Sequence, residues 1–156
     1  METVFIQTPL GIAKIEGDEN GISIISVTQE GDLSSEIPKN LKNSVTQLNE
    51  YFEGKREEFT FKLNPKGTEF QQKVWQELLK IPFGKTMSYL DLSKKLGDVK
   101  AIRAVASANG KNPLWIVVPC HRVIGTDGSL TGYAGGLWRK KWLLEHENPT
   151  NQQTLF

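Results

Sequence analysis

The chain has 156 residues, of which 38% are hydrophobic and 24% are charged, and its formal net charge at pH 7 is +1. This composition excludes a disordered chain, a collagen-like repeat and an acidic tail, and the length is typical of one or two domains. The single cysteine, Cys120, excludes an intramolecular disulfide. Cys120, His121 and His146 are too few for a tetrahedral zinc site built from Cys and His.

The lack of recognisable targeting signals predicts a soluble protein, and the charge distribution gives it a basic second half. No segment approaches the run of about 20 apolar residues that spans a bilayer, and the first residues lack the basic and apolar regions of a signal peptide. We therefore expect a cytoplasmic protein, or a nuclear one in a eukaryote, without a membrane partner. Residues 1–66 carry 7 Lys and Arg against 11 Asp and Glu, and residues 67–156 carry 12 against 7. The basic half suits either an anionic partner or simple solvation.

The first 66 residues are predicted to form an α/β domain. Short apolar segments predict strands at residues 4–8, 12–15 and 21–27, the last two joined as a hairpin by a polar turn. Apolar residues at helical spacing from Leu41 to Phe52 predict a helix that ends at Gly54. Alternation at residues 59–63 predicts a further strand, and Asn64-Pro65-Lys66-Gly67 is the predicted domain boundary.

Residues 67–156 are predicted to form a mostly helical domain. Thr68 is positioned to cap a helix that stops at Pro82, with a buried stripe of Phe70, Val74, Leu78 and Ile81. Residues 114–118 predict a buried extended segment, and Asp127-Gly128 predicts a turn. A loop at residues 132–136 then precedes an amphipathic helix over residues 137–147.

Two further helices, at residues 88–96 and 100–109, are joined by Gly97-Asp98-Val99 in the pattern of a helix-turn-helix. In such motifs the second helix enters a DNA groove. This second helix has mostly small side chains, with Arg103 as the one long polar side chain in its middle, and it lacks the array of Gln, Asn and Arg that reads base edges in the major groove. The pattern fits either sequence-independent DNA binding or a helical hairpin packed in a core.

Cys120 lies next to His121 and near Arg122, and a cationic or basic neighbour favours the reactive thiolate. Adjacent side chains of an extended chain face opposite ways, so a contact between Cys120 and His121 needs a bent backbone or a bridging water. Glu147 on the last helix could orient His121, completing a nucleophile, base and carboxylate. His146 is better placed to interact with the helix C-terminus or solvent.

Several separated segments carry a resemblance to a known family. They are Phe83-Gly84-Lys85, Ser88-Tyr89, Asn112-Pro113, Pro119-Cys120-His121-Arg122-Val123, Gly132-Tyr133-Ala134-Gly135-Gly136-Leu137 and Trp142-Leu143-Leu144-Glu145-His146-Glu147. In these segments the chain resembles the O6-alkylguanine-DNA alkyltransferase family from about residue 70 to residue 147. The first half is similar to the family only in the order of its elements, which implies a ribonuclease H-like α/β domain before the helical one.

The resemblance implies a stoichiometric, irreversible transfer of an alkyl group from O6 of guanine to Cys120. His121 is then the base, acting through a water, Glu147 polarises it, and Asn112 hydrogen-bonds into the network. Tyr89 matches the phenol that protonates the guanine at N3. No cofactor or metal is implied, because the zinc site of some relatives needs Cys or His in the first domain, and none precedes Cys120.

The resemblance also implies a pocket and a DNA surface. The carbonyls of Cys120 and Val123 meet the guanine amino group, and the predicted pocket is completed by Tyr133, Ala134 and Trp115. Where this chain has Ala134 some relatives have serine, so any hydroxyl contribution there is lost. Residues assigned to DNA contact are Ala101, Arg103, Ala104, Ser107 and Arg122. Arg103 matches the finger that fills the stack after the damaged nucleotide flips out of double-stranded DNA.

Alternatives remain open from the residues themselves. A helix-turn-helix protein could bind damaged DNA without transfer, and Cys120 with His121 could form a cysteine hydrolase. Glu147 alone would be a solvated helix end, and Arg139-Lys140-Lys141 predicts a solvated helix face with DNA contact as its alternative. The four tryptophans predict core or core-edge positions, the protein is predicted to be monomeric, and activity on O4-alkylthymine is left open.

Overall fold

The computed structural model describes residues 1–130, 133 and 136–149. The chain divides into two compact units: Met1–Lys66 with Pro113–Trp115 form the first, and Gly67–Asn112 with the described residues after Trp115 form the second. The sequence had placed Pro113–Trp115 in the second domain. The structure differs because the Ile25 amide donates to the Pro113 carbonyl at 2.8 Å and the Trp115 amide donates to the Ile25 carbonyl at 3.0 Å.

The first unit contains a three-stranded antiparallel sheet in the order β1-β2-β3. Its strands are β1 (Glu2–Thr8), β2 (Gly11–Asp18) and β3 (Gly21–Thr28), which confirms the three predicted segments and the hairpin. Apolar side chains on one face, including Val4, Ile15 and Ile25, are buried. Alternation of apolar and polar residues therefore gives this sheet one packed face.

Helix α1 (Lys42–Phe52) follows a short 3-10 turn and packs on β1. The predicted strand at residues 59–63 is not formed, apart from an isolated bridge between Leu63 and Ile22. The Gln47 side chain instead accepts from the Thr60 amide at 2.9 Å and donates to its hydroxyl at 2.7 Å. A buried helix side chain thus takes the hydrogen bond that a strand partner would have made.

The second unit begins with helix α2 (Glu69–Leu78), capped as predicted by Thr68 in a reciprocal capping box with Gln71. The predicted stripe is wrong at Phe70, which is 38% exposed, whereas Trp75 is buried and donates from its indole to the Ala108 carbonyl at 2.9 Å. The buried indole N–H of Trp75 is satisfied by this main-chain carbonyl. The ring of Phe70 has no donor and could not make the same hydrogen bond.

Helices α3 (Tyr89–Lys95) and α4 (Ile102–Gly110) are joined through Leu96-Gly97-Asp98 and a 3-10 turn at Val99–Ala101. Ser88 caps α3 by accepting from the Asp91 amide, and α4 packs against both α2 and α3. The side of α4 that packs inward carries Val105, Ala108 and Asn109. Its other side, with Arg103, Ala104 and Ser107, is exposed.

The segment predicted as extended at residues 114–118 is buried but forms a turn. Ile116 has φ of 72°, an uncommon left-handed conformation for a β-branched residue. The chain then makes a 3-10 turn at Cys120–Arg122 and a short strand β5 (Val123–Ile124), which pairs in parallel with β4 (Met87–Ser88). An Asp127-Gly128 turn follows as predicted, with the Gly128 amide donating to the Gly125 carbonyl.

The last helix, α5 (Leu137–Glu147), has the predicted bounds but a different buried face. Arg139 and Lys140 are buried, so the solvated face predicted for Arg139-Lys140-Lys141 is wrong for two of its three residues. Trp138 is 51% exposed, contrary to its predicted core position. In the parts of the chain that the structure describes, no helix is both long and apolar enough to cross a membrane.

Candidate active site

The 3-10 turn at Cys120–Arg122 positions the thiol. The Cys120 amide donates to the Val118 carbonyl at 2.8 Å, and the Arg122 amide donates to the Pro119 carbonyl at 3.0 Å. The backbone here is bent rather than extended, so the alternation that would separate adjacent side chains does not apply. Cys120 is 7% exposed, so the residue that carries the thiol is buried.

His121 and Glu147 come together in the buried interior of the second unit. Nε2 of His121 lies 2.8 Å from Oε2 of Glu147, and both side chains are buried. The contact joins the 3-10 turn to the last turn of α5. Glu147 is therefore a buried partner of His121, and the alternative of a solvated helix end is excluded by its burial.

Arg122 completes the network around the carboxylate. Its Nε donates to Oε1 of Glu147 at 2.8 Å, its Nη2 to Oε2 at 3.0 Å, and its Nη1 to the Ile81 carbonyl at 2.7 Å. The guanidinium is buried, so the structure gives Arg122 a different role from the predicted DNA contact. A two-point pair of this kind fixes both the position and the plane of the carboxylate.

The charges of this network decide which nitrogen of His121 is basic. Burial would raise the pKa of Glu147, but His121 and Arg122 outweigh it and hold that pKa well below its usual range. Burial lowers the pKa of His121, and Glu147 opposes the shift only in part, so the ring is neutral at pH 7. Because a carboxylate can only accept, Nε2 carries the hydrogen and Nδ1 keeps the lone pair.

Nδ1 of His121 is buried and has no hydrogen-bond partner among the residues that the structure describes. The histidine therefore offers a basic nitrogen that no protein group occupies, beside the residue that carries the thiol. This arrangement suits a proton acceptor that acts on Cys120 directly or through one water.

Burial raises the pKa of the Cys120 thiol, because a thiolate loses solvation in this site. A hydrogen bond from the Asn112 side chain and the positive charge of Lys140 oppose that rise. Asn112 is itself held by a 2.7 Å hydrogen bond from Nδ2 to the Val118 carbonyl. Asn112 thus lies in the predicted network and stabilises the thiolate form.

Lys140 is the residue of this site that the sequence prediction missed. Its side chain is buried, with Nζ 5.9 Å from the Tyr89 ring centroid and 6.0 Å from that of Tyr133. Burial lowers its pKa to about 8, against the opposing charge of Cys120. The signal was available, because Lys140, Leu143, Leu144 and Glu147 share one face of a helix by their spacing.

The remaining predicted pocket residues are placed unequally. Tyr89 is half-buried, and its Oη lies 3.4 Å from Nδ2 of Asn109, a second residue that the prediction missed. Val123 is fully buried in β5, and Tyr133 is half-buried. Ala134 lies outside the described residues. Trp115 is buried in the first unit, where its ring centroid lies 6.2 Å from that of Phe52.

The predicted DNA residues other than Arg122 lie on or beside α4. Arg103, Ala104 and Ser107 are exposed on one side of the helix, and Ala101 is half-buried in the turn before it. None of them makes a hydrogen bond or ion pair with Cys120, His121 or Glu147 within the described part of the chain. The structure thus separates a buried chemical centre from an exposed helix face.

Two family models match the chain. The model described as 6-O-methylguanine DNA methyltransferase, ribonuclease-like domain, matches residues 2–65. The model described as 6-O-methylguanine DNA methyltransferase, DNA binding domain, matches residues 69–149.

Individual relatives match over nearly their whole length. The chain is 44% identical over 153 residues to a probable methylated-DNA–protein-cysteine methyltransferase of Acanthamoeba polyphaga mimivirus, covering 97% of this chain and 100% of that one. It is 43% identical over 149 residues to the methylated-DNA–protein-cysteine methyltransferase of Methanosarcina barkeri, covering 91% and 94%.

Solved structures agree with these matches. The crystal structure of Mycobacterium tuberculosis O6-methylguanine methyltransferase superposes with a TM-score of 0.85 at 40% identity, covering 95% of this chain and 93% of that one. The M. tuberculosis OGT structure in complex with DNA gives a TM-score of 0.85 at 42% identity, covering 97% of each chain. The resemblance inferred from the sequence is confirmed: the chain belongs to the O6-alkylguanine-DNA alkyltransferase family, the methylated-DNA–protein-cysteine methyltransferases.

Proposed function

We propose that this protein repairs DNA by moving an alkyl group from O6 of guanine onto the sulfur of Cys120, once per molecule and without a cofactor. The observation that carries the proposal is that the buried Cys120 is followed by a neutral His121 whose Nε2 is hydrogen-bonded to Glu147, which leaves Nδ1 as the basic nitrogen. Relatives over 40% identical are named methylated-DNA–protein-cysteine methyltransferases.

Activation of the thiol follows from the orientation of His121. The proton of the Cys120 thiol passes through a water to Nδ1 of His121, and the carboxylate of Glu147 stabilises the imidazolium that forms. Arg122 keeps Glu147 ionised and in plane. The ammonium of Lys140 lowers the free energy of the thiolate, against the cost of burying it.

Transfer is a single displacement at carbon. The sulfur of Cys120 forms a bond to the alkyl carbon as the bond from that carbon to O6 breaks, and the electron pair of the broken bond goes to the guanine. Tyr89 donates its hydroxyl proton to N3, so the guanine leaves as a neutral base. The carbonyls of Cys120 and Val123 accept from its amino group, and Tyr133 lines the pocket.

DNA binding falls to the α3–α4 pair, which we assign as a helix-turn-helix. The exposed small residues of α4, Ala104 and Ser107, let its backbone approach the minor groove closely, and Arg103 occupies the stack left by the flipped nucleotide. The first unit is then a ribonuclease H-like domain. The protein acts as a monomer on double-stranded DNA containing O6-alkylguanine, in the cytoplasm or, in a eukaryote, the nucleus.

The proposal is tested by incubating the protein with duplex DNA containing O6-methylguanine and measuring its intact mass. We expect the mass to rise by a single methyl group that maps to Cys120, with no further turnover, and Cys120→Ser to remain unmodified. Binding without a mass change would instead identify a DNA-damage binding module. Repeated turnover of an ester or peptide would identify a cysteine hydrolase.

Glu147→Gln should slow transfer by about 10²-fold, because the neutral amide cannot stabilise the His121 imidazolium. The single-turnover rate is measured below the melting temperature of the variant, since a buried Arg122 without its anion also destabilises the fold. Glu145→Gln, on the same helix and outside this network, is the matched control and should react like the wild type. A folded Glu147→Gln protein that reacts at the native rate would refute the proposed activation.

Lys140→Met should raise the pKa of Cys120 and slow alkylation by free O6-benzylguanine about tenfold at pH 7, because the neutral side chain no longer favours the thiolate. With a pKa of about 8, the wild-type Lys140 is charged below that pH and neutral above it. The deficit of the variant should therefore shrink as the pH rises through 8. Rates are measured against pH, with exposed Lys141→Met as control, and parallel profiles would contradict the assignment.

Arg103→Ala should weaken repair of duplex DNA far more than the reaction with free O6-benzylguanine. The arginine is exposed on α4 and, within the described residues, has no hydrogen bond or ion pair with Cys120, so its effect should require a stacked duplex. Single-turnover rates on the two substrates are compared, with the exposed Lys111→Ala, immediately after the same helix, as a control for lost charge. Equal losses on both substrates would overturn the finger assignment.

A further inference from the structure

Asn109 is a buried amide at the end of α4, on the same side as Val105 and Ala108, and it is 2% exposed. Its Nδ2 lies 3.4 Å from Oη of Tyr89 and 3.4 Å from the carbonyl oxygen of Cys120. The side chain thus stands between the proposed proton donor and the backbone of the proposed acceptor. Hydrogen bonds of this length in a site without substrate commonly shorten when the reacting complex forms.

The carbonyl of Cys120 fixes which way the amide of Asn109 points. A carbonyl oxygen only accepts, so the amide nitrogen and not Oδ1 must face it. The amide then has two hydrogens and two acceptors within reach, the Cys120 carbonyl and the Tyr89 hydroxyl oxygen. Tyr89 is consequently the acceptor in its bond with Asn109.

The oxygen of the Asn109 amide is in an unfavourable environment. Oδ1 of Asn109 is buried and has no hydrogen-bond partner among the described residues. An apolar side chain would fill this part of the core without leaving a buried acceptor unsatisfied, so packing alone does not account for the asparagine. The polar group is explained if its two N–H bonds serve the reaction.

We propose that Asn109 is a positioning residue that directs the hydroxyl hydrogen of Tyr89 away from itself and toward N3 of the alkylated guanine. The inference rests on the proposed function and adds a residue to its proton-transfer step. Because Tyr89 accepts from Asn109, the hydroxyl hydrogen is not used in that bond. The amide anchors on the Cys120 carbonyl and so keeps the direction of the phenol fixed relative to the sulfur.

The same hydrogen bond strengthens during the reaction. When the O–H bond of Tyr89 breaks and the N3–H bond forms, the phenol oxygen gains negative charge, and a hydrogen bond to a charged oxygen is about twice as strong as one to a neutral oxygen. Asn109 therefore favours the transition state over the ground state. The transfer leaves an imidazolium on His121 and a phenolate on Tyr89, and solvent returns the proton between them.

A double-mutant cycle on Asn109 and Tyr89 tests the proposal with the full-length protein and duplex O6-methylguanine DNA. We expect Tyr89→Phe to slow single-turnover transfer about 10²-fold and Asn109→Ala about tenfold. The double variant should be no more than about twofold slower than Tyr89→Phe alone, since the amide acts through the hydroxyl. Multiplied losses, or a native rate for Asn109→Ala, would overturn the proposal.

A substrate with carbon in place of N3 separates proton transfer from folding. This substrate cannot take the proton, so the wild type and Asn109→Ala should react with it at the same rate. The roughly tenfold difference between them on O6-methylguanine should therefore disappear. A persistent tenfold defect on this substrate would mean that the amide supports the fold or the thiol, and would overturn the proposal. The matched control is Ser93→Ala, which removes a buried hydrogen bond to the Tyr89 main-chain carbonyl, and it should behave as wild type on both substrates.

The two proposals fail in distinguishable ways. If the wild-type protein gains no methyl group from either substrate, the proposed function itself is wrong. If the wild type transfers the group but the cycle is multiplicative, the function stands and the role of Asn109 alone is removed.

Discussion

The carboxylate of Glu147 is the group on which the geometry of the second unit depends. A buried carboxylate is tolerated only when it is paired and hydrogen-bonded, and here His121 and Arg122 supply the pairing from the turn that carries the thiol. Arg122 extends the connection to the Ile81 carbonyl, just after α2. The Glu147 carboxylate, with Arg122, therefore ties together the turn that carries the thiol, helix α5 and the backbone just after α2. A substitution of Glu147 would affect both the packing of these elements and the chemistry of the site.

The site also assigns a direction to each proton. The carboxylate makes Nε2 of His121 a donor and leaves Nδ1 as the base, while the Cys120 carbonyl makes the Asn109 amide a donor toward Tyr89. The Glu147 carboxylate and the Cys120 carbonyl can only accept hydrogen bonds. Each therefore fixes which groups donate and which accept in the hydrogen bonds that lead away from it. In the reaction that we propose, the thiol side of the site loses a proton and the phenol side gives one, and Asn109 connects Tyr89 to the backbone of Cys120.

Local signals in the sequence predicted much of this fold, and tertiary contacts account for what they missed. Strand alternation, the Thr68 cap and the bounds of α5 depend on neighbouring residues, and they were predicted correctly. The alternation at residues 59–63 and the apolar run at residues 114–118 predicted extended segments, but the hydrogen bonds of Gln47 and the left-handed Ile116 determine their backbone instead. The motif predicted Cys120, His121 and Glu147 as site residues. The burial of the charged residues Lys140 and Arg122 was not predicted, because it depends on how α5 packs against the 3-10 turn.

The position of Glu147 and Lys140 on α5 has a consequence for synthesis of the chain. Because the ribosome releases the N-terminal part first, Cys120 and His121 leave it before the helix that carries the carboxylate and the ammonium. Until α5 packs against the turn, nothing fixes the tautomer of the imidazole, and the thiol behaves as an ordinary cysteine. In the proposed mechanism, chemical reactivity is therefore the last property that a newly made molecule acquires, and a chain truncated before residue 147 would keep its cysteine but not the carboxylate that we propose activates it.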